Sequence, residues 1–132
     1  MYEDGSISVR ELAQQVGLSS PSIAERILKL KDAGAIQGYT VIVDPSAFGL
    51  EVSAFLQLRA MPGQTGNVAQ MLCDIPQVVE AYRVTGADCF VARIVVCDVQ
   101  QLETVVVRFI QFASTHTVII QSSTVARRLP KL

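Results

Sequence analysis

The sequence predicts an α+β protein in two parts, an N-terminal (winged) helix-turn-helix followed by a ferredoxin-like βαββαβ domain. Three observations lead there. Two short amphipathic helix patterns stand back to back before Gly34. A β-branched stretch closed by Asp44-Pro45 and Gly49 follows them. Beyond it the apolar spacing changes in the order strand, helix, strand, strand, helix, strand.

The first helix is predicted to begin at Ser8-Val9-Arg10-Glu11, which has the capping-box form: the serine oxygen accepts an amide hydrogen of the first turn and the glutamate reaches back. Val9, Leu12, Ala13 and Val16 then form one apolar stripe, and Gly17 ends the helix because it tolerates a positive φ. After the turn Gly17-Leu18-Ser19, Ser20 reads as an N-cap and Pro21 as the first residue of a second helix. Ile23, Ile27 and Leu30 make its inner face, Ser22, Glu25, Arg26 and Lys29 point elsewhere, and Gly34 closes it. Two helices joined in this way, the second polar and basic on its free face, fit a helix-turn-helix. An αα-hairpin with solvated charges has the same local pattern.

Ile36 to Val43 reads as a strand, and Asp44-Pro45 with Gly49 as a hinge. The expected division is therefore 1–44 for the helix-turn-helix and its strand, 45–51 for a linker, and 52–132 for the second domain. There, Val52 to Arg59 alternates as a strand, and Val68, Met71, Leu72 and Ile75 keep helical spacing until Pro76. Val78 to Val84 and Cys89 to Cys97 read as strands around the turn Thr85-Gly86-Ala87-Asp88. Asp98 caps a helix whose stripe is Leu102, Val105, Val106, Phe109 and Ile110, and Thr115 to Gln121 is the last strand. In the βαββαβ order both helices cover one face of a four-stranded antiparallel sheet. Apolar residues on both sides of Cys89 to Cys97 then direct the bare face against a second subunit, giving a homodimer.

Composition narrows the classes. A chain of 132 residues cannot hold two full enzymatic domains, and its net charge of −1 lacks the basic excess common in nucleic-acid binders. Any DNA contact must come from a local patch, and up to Asp44 the cations are Arg10, Arg26, Lys29 and Lys31. Mean hydropathy is +0.38. No apolar run approaches the roughly 18 residues of a membrane span, so the excess apolar surface is expected between subunits. Cys73, Cys89 and Cys97 have no Cys-x-x-Cys spacing, and His116 is the only histidine to join them. Together with the lack of a leader-like start, this predicts a cytoplasmic protein with cysteines buried as small hydrophobes and with no metal or cofactor. No paired carboxylates, nucleophile-base set or phosphate loop points to an enzyme.

Several segments resemble the Lrp/AsnC transcription regulators: Ile7-Ser8-Val9-Arg10-Glu11-Leu12-Ala13, Val16-Gly17-Leu18-Ser19, Pro21-Ser22, Arg26, Leu30, Ala33-Gly34-Ala35-Ile36 and Gly38-Tyr39. The link Asp44-Pro45 and Gly49, the turn Val84-Thr85-Gly86-Ala87-Asp88, the strand Ser114-Thr115-His116-Thr117 and the ending Arg127-Arg128-Leu129-Pro130 extend the likeness through the chain. The resemblance implies a promoter-binding head, dimers formed through the ferredoxin-like domains and associating to octamers, and a small-molecule effector, an amino acid, held between dimers. Two departures stand out. The family has a further helix before the capping box, where this sequence has Met1-Tyr2-Glu3-Asp4-Gly5. Without it each large side chain left uncovered forfeits roughly 1.5–3 kcal/mol. In the effector turn, Ala87 and Cys89 replace residues usual there.

By this reading the second helix enters the major groove with Ser20, Ser22, Glu25 and Arg26 nearest base edges and Lys29 nearer phosphate. Glu25 either accepts from cytosine or pairs with Lys29 four residues on. For an amino-acid effector, Asp88 would take the ammonium, while the Thr85 hydroxyl and the amides of Gly86 and Ala87 would take the carboxylate. Thr115 and Thr117, on one side of a strand, would line the same pocket or merely stabilise the sheet. His116 points the other way and is given no role. The competing classes are a ligand-sensing partner subunit without DNA binding and an enzyme similar to sirohaem decarboxylases, which need more histidine than this chain offers.

Overall fold

The computed structural model describes residues 5–86 and 89–131. It divides into Met1–Val43 with Arg127–Leu132, and Asp44–Ala126. The expectation from sequence kept residues 127–132 with the second domain. In the structure the chain has left regular structure after Ile119, and its last segment belongs to the first unit.

In the first unit, α1 (Val9–Val16) starts at the capping box as expected. The Ser8 Oγ accepts from the Glu11 N–H at 3.1 Å, and Glu11 Oε2 accepts from the Ser8 N–H at 3.2 Å. Gly17 stops the helix in the left-handed region at φ 72°, where a side chain would be strained. The second helix, α2 (Ser20–Asp32), differs in its start: the N-cap is Ser19, not Ser20, and Pro21 sits one position further in. The reason is reach, since Ser19 is the residue in extended conformation whose hydroxyl meets the N–H of Ser22. Gly34, at φ 76°, donates to Lys31 O and turns the chain so that Ala35 donates to Leu30 O.

The two helices touch through a thin core in which Ala13 and Ile23 are buried. Val9, Val16 and Leu30, assigned to the inner stripes from sequence, stay exposed, so the stripes are only partly covered; Leu28, outside them, is exposed as well. Ile7, Val9, Ala24, Ile27 and Leu28 line an open cleft of about 450 Å³. The strand expected over Ile36–Val43 is absent. Its β-branched residues favour extended backbone, but a strand also needs a neighbour to take its hydrogen bonds, and the side chains of Val41, Ile42 and Val43 lie exposed. The expected linker carries a short 3₁₀ turn, Pro45–Phe48, capped by Asp44.

The second unit runs β1 (Val52–Ala60), α3 (Thr65–Asp74), β2 (Val78–Arg83), β3 (Phe90–Val96), α4 (Val99–Val107) and β4 (Ala113–Ile119). The sheet order is β2-β3-β1-β4, all antiparallel, which is the predicted ferredoxin-like topology. Alternation sorts β1 into two faces: Ala54, Leu56 and Leu58 are fully buried, while Phe55 and Arg59 are exposed. The core adds Val68, Leu72 and Ile75 from α3 and its exit, Ile94 and Val96 from β3, and Leu102, Val105 and Phe109 from α4 and its exit. Asp98 caps α4 as expected, accepting from the Gln101 N–H at 2.7 Å. Ile110, assigned to the buried stripe from sequence, is exposed because α4 ends at Val107 and the helical period no longer applies. Of the cysteines expected to be buried, Cys73 and Cys97 are exposed and Cys89 is half-buried, because each lies at or beyond the end of an element rather than on its inner face.

Phe109 is the largest fully buried side chain. Phe109→Ala is expected to lower stability by about 3–5 kcal/mol, read as a lower urea midpoint of the second unit at an unchanged slope. A loss under about 1 kcal/mol would mean that Phe109 is not at the centre of this core.

Candidate functional site

Two sets of residues are candidates, one in each unit. On α2, Ser22 and Lys29 each lie three and four residues from Glu25 and Arg26, so the four share one helix face, away from Ile23 and Ile27. Glu25, Arg26 and Lys29 are exposed there. Ser20 is exposed as well but, two residues before Ser22, projects roughly 200° away around the axis. The structure therefore brings four of the five predicted DNA-reading residues together and leaves Ser20 apart.

Hydrogen bonding decides what this face has free. Glu25 Oε1 lies 3.0 Å from Lys29 Nζ, so the carboxylate is engaged along the helix, the second of the two roles its spacing allowed. The Ser19 hydroxyl donates to Ser22 Oγ at 2.9 Å, which ties the Ser22 side chain to the cap. Arg26 is the planar, multiply donating group on the face, at the edge away from the Glu25–Lys29 pair. Lys31, further along, sits 4.8 Å from the centre of the Tyr39 ring and is held by that aromatic face.

In the second unit the turn between β2 and β3 is fastened at its base, where Val84 N–H donates to Cys89 O at 3.0 Å. Cys89 N–H in turn donates to Leu58 O at 2.9 Å. Leu58 is paired on its other side with Thr115, and Leu56 with Thr117. One strand thus separates the turn from the two threonines, and all lie toward one end of the sheet. Thr115 and Thr117 are half-buried on the helix-covered face, while His116 faces Gln57 on the open face, as alternation requires. Thr85 is exposed, and Gly86 takes φ 101°, a conformation that suits glycine. Ala87 and Asp88, assigned to effector binding from sequence, lie outside the described residues.

Residues 1–37 match the winged helix-turn-helix DNA-binding family, and residues 53–130 match the Lrp/AsnC ligand binding domain. The chain belongs to the Lrp/AsnC family. It is 36% identical over 94 residues to the HTH-type transcriptional regulator FL11 of Pyrococcus horikoshii, a stretch that spans 71% of this chain and 62% of that relative. LrpC of Bacillus subtilis superposes with a TM-score of 0.88 at 28% identity, covering 94% of this chain and 89% of that one. A feast or famine regulatory protein of Mycobacterium tuberculosis, complexed with L-methionine, gives the same TM-score and identity over 96% of this chain and 88% of that one.

One cluster that sequence reasoning did not find is on the open face of the sheet. There Arg93 Nε donates to Glu80 Oε1 at 2.8 Å and Tyr82 Oη donates to Glu80 Oε2 at 2.9 Å, amid Phe55, Val91 and Val118. Only the register of β2 on β3, with its irregularity between Val78 and Glu80, brings these three residues together. No spacing along the chain signals it.

The cap of α2 sets where its reading face begins. Ser19→Ala is expected to cost about 1 kcal/mol in thermal or urea unfolding of the first unit. Ser20→Ala is expected to cost less than half of that; the reverse ranking would return the cap to Ser20.

Proposed function

We propose that this chain is a sequence-specific DNA-binding transcription regulator that acts in the cytoplasm and responds to a small molecule, an amino acid. The observation that carries the reading is the face of α2, where Arg26 stands exposed on one face with an anchored Ser22 and a Glu25–Lys29 pair, on a unit that matches a DNA-binding family. Arg26 donates in bidentate fashion to guanine, Lys29 meets phosphate, and Ser22, held by the Ser19 cap, lies beside them on the same face, while Ser20, on another face, is left out of the contact. Glu25 tunes Lys29 rather than reading a base.

The effector reading rests on the ligand-binding-domain match and on the methionine complex of the Mycobacterium tuberculosis relative. Thr85, the amides of Gly86 and Ala87, and Asp88 take the amino-acid backbone, with Thr115 and Thr117 behind them. Two copies associate through the open sheet face, where the exposed Phe55, Tyr82 and Val118 gain burial and the Arg93–Glu80 pair fixes the match, and dimers associate further into octamers. Two heads then meet half-sites one helical turn or a multiple apart. A chain that binds an amino acid but no duplex would instead be a sensing partner subunit.

Two measurements test this. A duplex selected by the protein from a random pool should bind with affinity that falls steeply as salt rises, and Arg26→Gln should reduce discrimination against the shuffled duplex by about 1–3 kcal/mol. No enrichment from the pool would sink the reading. A screen of the amino acids by thermal shift should raise the melting temperature with at least one of them, and Thr85→Val with Thr117→Val should abolish that rise without lowering the melting temperature of the free protein.

A further inference from the structure

The charge of the chain is unevenly divided. Asp44–Ala126 carries Arg59, Arg83, Arg93 and Arg108 against seven acids, a net of −3. Met1–Val43 carries Arg10, Arg26, Lys29 and Lys31 against Glu3, Asp4, Glu11, Glu25 and Asp32, a net of −1. A head meant to lie on DNA is thus acidic on its own. Two of its four cations also have a neighbour within the unit, Lys29 beside Glu25 at 3.0 Å, which offsets part of its charge, and Lys31 over the Tyr39 ring at 4.8 Å. The segment that joins this unit from the far end of the chain, Arg127–Leu132, brings Arg127, Arg128 and Lys131 with no acidic side chain and turns the net charge to +2. All three side chains are exposed, and none enters an ion pair among the described residues. The neighbouring Leu129 and Pro130 are engaged in contacts.

We propose that Arg127–Lys131 is part of the DNA-binding surface of the first unit: Arg127, Arg128 and Lys131 neutralise duplex phosphates and supply the basic charge the helix-turn-helix lacks. This rests on the regulator reading above and adds a contact remote in sequence from the reading helix. The cations are on an irregular segment without a rigid donor array, which suits the backbone of the duplex rather than base edges. The segment strengthens binding to every sequence alike and leaves discrimination to α2. Each phosphate neutralised on B-DNA adds about 0.9 to the slope of log affinity against log salt.

The test uses the full chain, the triple variant R127Q/R128Q/K131Q and the control R108Q, which removes an exposed cation of the other unit. Each is titrated across a salt series with the duplex that the wild type selects from a random pool and with its base-shuffled version. The expected result for the triple variant is an affinity about tenfold or more lower for both duplexes and a salt slope shallower by about 2–3 per chain bound. Its discrimination between duplexes and its melting temperature should stay at wild-type values, and R108Q should match the wild type. An unchanged slope in the triple variant, a loss confined to the selected duplex, or an equal loss per charge in R108Q would each overturn the proposal and leave the regulator reading intact. So would a wild type that holds single-stranded RNA more tightly than the duplex through these same residues. If the wild type selects no duplex, the regulator reading fails and this one fails with it.

Discussion

Strand β1 is the constraint on which the second unit depends. It is paired along both edges, with β3 from Val52↔Val96 to Leu58↔Phe90 and with β4 from Ala54↔Ile119 to Ala60↔Ala113. Its alternation puts Ala54, Leu56 and Leu58 under the helices at full burial. A slip of one residue would exchange these for Phe55, Gln57 and Arg59 and would place a guanidinium in the core, so the register is held by the whole apolar layer. The candidate effector segments inherit their positions from it. Leu58 gives its carbonyl to Cys89 at the base of the β2–β3 turn and is paired with Thr115 on the other side, so one buried leucine aligns two stretches that lie far apart in sequence.

The first unit is held differently. With Ala13 and Ile23 as its buried residues, burial contributes little, and the ends of the helices are fixed instead by local chemistry: the Ser8–Glu11 capping box, left-handed Gly17, the Ser19 cap and Gly34. Each cap is worth about 1 kcal/mol, enough to set where a helix starts but not to hold two helices against each other. Such a unit gains stability from whatever binds its folded form, so docking on a duplex would tighten it by mass action. The exposed Val9, Val16 and Leu30 belong to the same picture, since they are the part of the apolar stripes that helix-to-helix contact leaves uncovered.

What was legible in the sequence follows from how far each signal reaches along the chain. Capping boxes, terminal glycines, the cap at Asp98 and the period of apolar residues act within one or two turns, and they located the helices and strands to within a few residues. Where a feature depends on a second segment, the reading failed or was silent. The stretch Ile36–Val43 has the composition of a strand but no pairing neighbour among the described residues, and Glu80, Tyr82 and Arg93 meet only because two strands pair in one particular register. Ser19 and Ser20 compete for one cap, and two adjacent serines before a proline look alike until backbone conformation chooses between them. On α2, chain spacing allowed Glu25 two roles, and without DNA its carboxylate lies 3.0 Å from Lys29.

Net charge is the instructive case. At −1 for the whole chain it argues against a nucleic-acid partner, yet that figure adds two units of opposite sign. Charges act on a partner over roughly a Debye length, about 8–10 Å at ordinary salt, so the charge of each unit matters to a bound group more than the sum over the chain, and that charge is +2 for the first unit and −3 for the second. An anionic partner is therefore favoured by the charge of the first unit and disfavoured by that of the second. A division of this kind is invisible while charge is summed along the sequence. It emerges once Arg127, Arg128 and Lys131 are counted with the unit they join in space instead of the one they follow in the chain.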